Sequence, residues 1–260
     1  MTPLIDYILH LADSTLILAQ RNAEWCGHGP VLEQDIAITN ISLDLLGQSR
    51  NFYQYAASLI GKDATEDSLA YLRTEREFKN CLLVEQPNGD WAQTILRQFF
   101  FSVYQQLLFI KLENSKDEQL AAIATKSLKE VNYHVRWSSE WVIRLGDGTA
   151  ESKSRMIKAV DGLWTYTGEL FEAASYELLC STEALREGER AESESVGIDP
   201  SSLKEVWMKK TAEIFEEATL SVPENKFMQT GGKEGKHTEH LGYILTELQY
   251  MQRAYPDSTW

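Results

Sequence analysis

The histidines are the residues of this sequence whose type and spacing could do the most demanding chemistry. A di-iron site in a helix bundle takes a Glu-x-x-His pair from each of two helices and one Glu from each of two others. The five histidines are His10, His28, His134, His237 and His240. The residues three positions before them are Tyr7, Trp25, Val131, Glu234 and His237. Only Glu234–His237 has the required spacing, and it lies in a glycine-rich stretch rather than in a helical pattern. We therefore expect no complete metal site and no catalytic or cofactor-binding residue in this chain.

A polar stripe interrupts an otherwise charge-poor helical pattern. Asn40, Asp44, Gln48 and Asn51 recur at spacings of four, four and three, so they share one helix face. The stripe could face solvent, or it could form a buried network in which the carboxylate must be paired or hydrogen-bonded. If Asp44 stood in place of a glutamate ligand, Gly47 would stand in place of its histidine, and glycine has no side chain to bind a metal.

Glu130 and His134 form a second candidate pair, four residues apart on one predicted helix. They share a face with Ile123, Ser127, Trp137 and Trp141, so we expect both to point inward. The pair could be the remnant of a metal site, but an intrahelical Glu–His contact in the core explains it better. The stretch between Trp91 and Leu112 contains no acidic residue. Asp44, Glu130 and His134 are therefore candidates for a vestigial site only.

The stretch TGGKEGKHTEH (230–240) precedes a predicted helix and combines three glycines, two lysines and two histidines. Free backbone N–H groups and the helix dipole favour an anion at such a position. Lys233, Lys236 and His237 are the candidate contacts for an anionic ligand or a partner. The alternative is a tight loop that packs against a partner, and the two interpretations are compatible.

Apolar residues recur at helical spacing almost throughout, which predicts an all-α fold. The expected helices cover about 3–26, 30–60, 91–113, 117–145, 150–180, 199–222 and 238–253, with two short pieces within 65–80. We predict a ferritin-like long-helix bundle with additional C-terminal helices, forming a single domain over 1–260. The acidic, weakly apolar segment 181–197 is predicted to be a surface loop or disordered insert. Helices two and three carry so few charges that we expect protein to surround them.

Composition limits the classes of partner. The net charge of −14 argues against nucleic acid and against anionic membranes, because no basic surplus exists to neutralise phosphates. Three cysteines lie far apart without a Cys-x-x-Cys pair, which fits a reducing cytoplasm. The first residues lack the basic region of a signal peptide, and no apolar window is long enough to span a bilayer. We expect a cytoplasmic protein.

Five segments carry a resemblance to a known family. They are EWCGHGPVLEQDIAITNISLDLLGQSRNF (24–52), LLVEQPNGDWAQTI (82–95), KEVNYHVRW (129–137), TGGKEGKHTEHLG (230–242) and ELQYMQR (247–253). Together they resemble the C-subunit family of the bacterial phenylacetyl-CoA epoxidase, the multicomponent phenylacetate-degradation oxygenase. The resemblance covers essentially the whole chain.

The resemblance implies a ferritin-like fold and a role as the non-catalytic structural partner of a homologous catalytic subunit. That catalytic subunit would carry the di-iron centre and bind phenylacetyl-CoA, whose aromatic ring is epoxidised with oxygen. A reductase subunit with flavin and an iron–sulfur cluster would deliver electrons from NADPH. No site residue carries over, and Gly47 and Val131 are expected departures from the ligand pattern.

Three interpretations remain open. In the first, the chain is a structural subunit that self-associates when it is isolated. In the second, it is itself a di-iron oxygenase with an irregular site around Asp44, Glu130 and His134. In the third, its glycine-rich stretch contacts the CoA moiety of the substrate through Lys233 and Lys236. The first and third can both hold.

Overall fold

The computed structural model describes residues 2–181, 195–224, 226–256 and 258. These residues contain eleven α-helices and five 3-10 helices, with no strand among them. The predicted all-α, ferritin-like class is confirmed. None of the described helices combines the length and the apolar character needed to cross a membrane. The predicted acidic insert at 181–197 falls mostly on residues outside the described ranges.

The helices follow the apolar periodicity closely. They are α1 (Pro3–Ala23), α2 (Leu32–Ile60), α3 (Glu66–Tyr71), α4 (Leu82–Glu85), α5 (Trp91–Leu112), α6 (Glu118–Gly146), α7 (Ala150–Leu163), α8 (Ser175–Ser181), α9 (Lys204–Glu217), α10 (Glu239–Leu248) and α11 (Tyr250–Ala254). Short 3-10 helices occupy Glu75–Glu77, Trp164–Tyr166, Gly168–Phe171, Pro200–Leu203 and Gly232–Glu234. The first four long helices lie within three residues of their predicted ends.

Side-chain caps fix where several long helices begin. Four of the longer helices start after a residue whose side-chain oxygen accepts a hydrogen bond from the backbone N–H three residues later, which satisfies a donor the helix leaves unpaired. These residues are Thr2 before α1, Asp90 before α5, Asp117 before α6 and Thr149 before α7. Gly61, at a φ of 67°, ends α2 in a conformation that favours glycine.

The single long helix predicted over 150–180 is wrong. The chain leaves α7 after Leu163, makes two 3-10 turns and resumes as α8. The segment around residues 227–229, distant in sequence but close in space, makes contacts that compete with a continuous helix. Gln229 N donates to Thr165 O at 2.7 Å, and Thr165 Oγ1 donates to Phe227 O at 2.6 Å. Met228 lies so close to Gly168 that a Cβ there would clash with it. Pairing with a distant segment, which periodicity cannot report, breaks the helix here.

The chain forms two compact units. The first comprises Met1–Pro87 and Gly231–Trp260, and the second comprises Asn88–Thr230. The assignment of the whole chain to one domain stays a prediction. In the first unit α1 packs along α2, with α3, α4 and α10 against this pair. Fifteen of the 21 residues of α1 are buried, so this helix is the core of the first unit.

In the second unit α5 packs along α6, and α7 and α9 cover α5. An aromatic cluster fills the space between them. It consists of Phe100, Trp164, Phe171, Trp207 and Phe215, with ring centroids 5.2–6.3 Å apart. The indole of Trp207 donates to the carbonyl of Phe100 at 3.0 Å, so the one polar atom of this buried ring is satisfied.

The prediction that protein surrounds the two charge-poor helices is right for one of them. Sixteen of the 22 residues of α5 are buried. It is wrong for α2 within this chain, because Leu32, Ile36, Leu43 and Leu46 are exposed. A charge-poor helix face that stays uncovered in one chain needs a separate explanation.

Candidate functional site

The three residues predicted for a vestigial metal site fall in both units. Asp44 lies half-buried on α2 in the first unit, while Glu130 is half-buried and His134 fully buried on α6 in the second. In the described part of the chain, no three or more His, Cys, Asp and Glu side chains are grouped so that they could hold a metal ion. The absence of a metal site in this chain and the vestigial origin of these residues both stay predictions.

The polar stripe on α2 is neither fully solvated nor fully buried. Asn40 is exposed, Asp44 and Asn51 are half-buried, and Gln48 is buried. The stripe therefore runs along the edge between the packed and the exposed faces of α2. Gly47 is exposed, and a Cβ added there would meet no atom within 4 Å. Its lack of a side chain is thus not required by packing within this chain.

The glycine-rich loop is anchored on a carboxylate that sequence reasoning missed. Glu85, at the end of α4, is fully buried and accepts four hydrogen bonds. Its Oε2 accepts from Asn80 Nδ2 and from His237 Nδ1, both at 2.8 Å. Its Oε1 accepts from the backbone N–H of Thr238 at 2.7 Å and from Thr238 Oγ1 at 2.8 Å. The anion at the start of α10 is therefore Glu85 itself.

His237 faces acceptors on both sides of its ring. Nδ1 meets the Glu85 carboxylate, and Nε2 lies 3.0 Å from the carbonyl oxygen of Phe78. Burial lowers the pKa of His237, but the hydrogen bond and charge of Glu85 outweigh it, with help from the Phe78 carbonyl, so the pKa is raised overall. Both ring nitrogens donate when the imidazole is protonated, so this geometry favours a Glu85–His237 ion pair.

The glycines of the loop serve close packing. A Cβ on Gly232 would lie 2.4 Å from the carbonyl oxygen of Asn80, and one on Gly235 would lie 2.3 Å from that of Arg76. Gly235 also has a φ of 78°, which other residues rarely adopt. Lys233 is buried in this contact, whereas Lys236 is exposed and lies 3.5 Å from Glu234. Of the two predicted lysines, Lys236 is the one an external anion can reach.

A second buried polar cluster links α1, α2 and the segment after α3 in the first unit. The carboxylate of Asp13 on α1 accepts from Tyr53 of α2 at 2.5 Å and from the backbone N–H of Lys79 at 2.8 Å. Both terminal nitrogens of Arg73 also donate to it. The Arg73 guanidinium lies 4.3 Å from the ring centre of Phe78, a cation–π contact. Burial, followed by the charge of Asp13, raises the pKa of Tyr53 well above its usual range, so this phenol stays neutral and donates.

The sequence indicates the buried carboxylates of these clusters but not their partners. Asp13 interrupts the apolar run of the first helix, and Glu85 follows three apolar residues. Such isolated carboxylates are buried only with partners. The partners Arg73 and His237 lie 60 and 152 residues further along the chain, so the pairing is not visible in local spacing. Neither cluster contains an exposed nucleophile, and both act as joints between segments.

Comparisons with known proteins identify the family of this chain. A family described as phenylacetic acid catabolic protein matches residues 1–260. The chain belongs to this family. It is also 47% identical, over 260 residues and 100% of both chains, to the C subunit of 1,2-phenylacetyl-CoA epoxidase of Escherichia coli (strain K12). The family resemblance inferred from the sequence is confirmed.

Proposed function

We propose that this chain is a subunit of a phenylacetyl-CoA epoxidase in aerobic phenylacetate catabolism, and that its role in that complex is structural. The relationship to the C subunit of the Escherichia coli enzyme, at 47% identity over the full length of both chains, is the observation that carries the proposal. In the proposed complex, a homologous catalytic subunit holds the di-iron centre and the substrate. A reductase subunit supplies electrons through flavin and an iron–sulfur cluster from NADPH. This chain holds no cofactor and works in the cytoplasm.

The structural role is supported by the residues at the places where ligands would stand. Gly47 follows Asp44 by three residues, Val131 precedes His134 by three, and α5 has no carboxylate between Trp91 and Leu112. A di-iron cage needs a carboxylate from each of four helices. The described residues instead form two buried charged clusters in the first unit and an aromatic cluster in the second, which link the elements within each unit.

Metal content tests the structural role directly. The chain is purified alone from iron-supplemented medium and its iron is measured. We expect far less than one iron per chain, because the donor set is incomplete. About two irons per chain, the full complement of such a site, would make this chain an oxygenase with an irregular site around Asp44, Glu130 and His134.

Activity of the assembled complex supplies an independent test. We expect Asp44→Asn and Glu130→Gln each to leave the rate of phenylacetyl-CoA epoxidation within about twofold, since neither binds a metal in this proposal. Omission of the whole chain should abolish activity, because the catalytic subunit loses its partner. A loss of about 100-fold in either variant, in a complex that still assembles, would contradict the proposal.

We propose that Lys236 contacts the CoA moiety of the substrate. The buried side chains of Lys233 and His237 do not reach the substrate and only support the loop. Lys236→Ala should raise the KM of the complex for phenylacetyl-CoA with little change in kcat, as expected for loss of a binding contact. The matched control is Lys126→Ala, an exposed lysine on α6. If both variants give the same KM, the loop does not contact the substrate.

A further inference from the structure

The outward face of α2 carries a run of exposed aliphatic side chains. Leu32 is 72% exposed, Ile36 52%, Leu43 60% and Leu46 38%. Their spacings of four, seven and three place all four side chains on one side of the helix. We name these four residues the α2 stripe. It is about 21 Å long at roughly 1.5 Å per residue, which is the size of the dry centre of an interface rather than of a whole interface.

Helix α6 provides an internal comparison, because it has the same length of 29 residues. Six of its exposed positions carry charged side chains, and Tyr133 is its one large apolar side chain among the exposed residues. The six are Glu118, Lys126, Lys129, Arg136, Glu140 and Arg144. The solvent-facing side of α6 is thus mainly charged or polar, whereas α2 exposes the four leucine and isoleucine side chains of the α2 stripe beside only two exposed charged residues, Glu33 and Arg50. Contiguous exposed aliphatic side chains mark a surface that another protein covers.

A pocket of about 260 Å³ adjoins the α2 stripe at Leu46. Leu16 and Ala70 contribute apolar walls, and Glu66 and Asp67 contribute carboxylates. Arg50 also lines the pocket and pairs with Glu66 at 2.8 Å, so Asp67 supplies the net negative charge of the pocket. Tyr71 also lines the pocket, and its pKa is raised by burial and then by the charges of Asp67 and Glu66. The pocket therefore combines apolar walls with one net negative charge at Asp67, which suits the aliphatic stem and cationic head of a lysine or arginine.

We infer that the α2 stripe is where another subunit of the epoxidase binds, through an apolar helix face whose lysine or arginine enters the adjoining pocket. The inference rests on the proposed function, since it assumes that the chain works in a complex. Charge favours a different subunit over a second copy. A second copy would bring another net charge of −14 and a second acidic pocket, whereas a basic side chain complements the pocket.

The test is binding of this chain to the other epoxidase subunits, using Leu43→Glu at the centre of the α2 stripe. The matched control is Ile157→Glu on α7, an aliphatic residue that is 48% exposed in the second unit. Both substitutions are at exposed positions, and circular dichroism and thermal unfolding check that each variant folds. We expect Leu43→Glu to weaken binding at least about tenfold, because it places a charge at the centre of the interface, and Ile157→Glu to bind like the wild type.

Asp67→Lys tests the role of the pocket. The matched control is the charge reversal Asp147→Lys at the end of α6. Only Asp67→Lys should weaken binding, because it removes the complement to the partner's basic side chain. If Leu43→Glu and Asp67→Lys bind like the wild type, the surface is elsewhere although the proposed function stands. If the wild type binds no other subunit, the proposed function fails as well. A homodimer that Leu43→Glu breaks, and that persists when the other subunits are present, would make a second copy the occupant and overturn the inference.

Discussion

Glu85 shows how one buried carboxylate can organise a loop that is distant in sequence. It accepts hydrogen bonds from Asn80, His237 and Thr238, and has no exposure to solvent. A buried charge is tolerated only when its partners are complete, and removing one partner from such a pair costs more than the pair contributes. The loop 230–240 is thus held in place by a residue that precedes it by about 150 positions.

Replacing Glu85 tests this account. Glu85→Gln keeps the shape but removes the charge opposite His237 and turns an acceptor into a donor that faces other donors. We expect the free energy of unfolding to fall by about 3 kcal/mol or more, the cost of breaking a buried ion pair. Urea unfolding followed by circular dichroism measures this. The control, Glu234→Ala at an exposed position of the same loop, should change it by less than about 0.5 kcal/mol.

The raised pKa of His237 makes this contribution depend on pH. The pKa of an unperturbed histidine is 6.5, and that of folded His237 is higher because Glu85 stabilises the protonated ring. The folded state therefore binds the proton more tightly. Its extra stability is fully present below a pH of about 6.5 and is lost as the pH rises through the folded pKa.

The pH prediction is measured as a difference between two proteins. The free energy of unfolding of the wild type minus that of His237→Gln should shrink as the pH is raised from about 6 to about 9. Subtraction removes titrations that both proteins share. A difference that stays constant over this range would show that His237 keeps one protonation state, and that the Glu85–His237 ion pair does not contribute as described.

At the scale of elements, the glycines of the loop decide how closely it approaches the segment before α4. Gly235 has a positive φ and leaves no room for a Cβ beside the Arg76 carbonyl. Gly235→Ala should therefore lower the free energy of unfolding by about 1–3 kcal/mol. Gly162→Ala on α7 is the control, because a Cβ there meets nothing within 4 Å. It should stabilise the protein slightly, by about 0.5–1 kcal/mol. Equal effects of the two substitutions in thermal unfolding would disprove the packing argument.

The elements also show which parts of the structure the sequence could predict. The long helices α1, α2, α5 and α6 follow from apolar periodicity and local caps, both of which are encoded within a few residues. The break after Leu163 depends on a segment 62 residues further along the chain, and the position of the loop 230–240 depends on Glu85. Such pairings come from tertiary contacts, so local patterns missed them. The exposed face of α2 could not be predicted for a related reason. Low charge indicates that a helix is buried, but it does not say whether the same chain or a partner chain buries it.

At the scale of the molecule, two opposing features govern how the chain associates. The net charge of −14 keeps copies apart, while the α2 stripe offers apolar surface that favours contact. Salt screens charge repulsion over about 10 Å at 0.1 M and about 3 Å at 1 M, but it does not weaken apolar contact. In the absence of other subunits, self-association of the isolated chain should therefore increase with salt.

Sedimentation velocity of the isolated chain tests this balance. At low salt we expect a mass near the 29.6 kDa of one chain, and a larger weight-average mass when salt is raised to about 0.5 M. Leu43→Glu should stay near 29.6 kDa at both salt concentrations, whereas Ile157→Glu should behave like the wild type. If self-association instead decreases with salt, specific ion pairs hold the copies together. The α2 stripe would then not be the surface that makes the isolated chain associate.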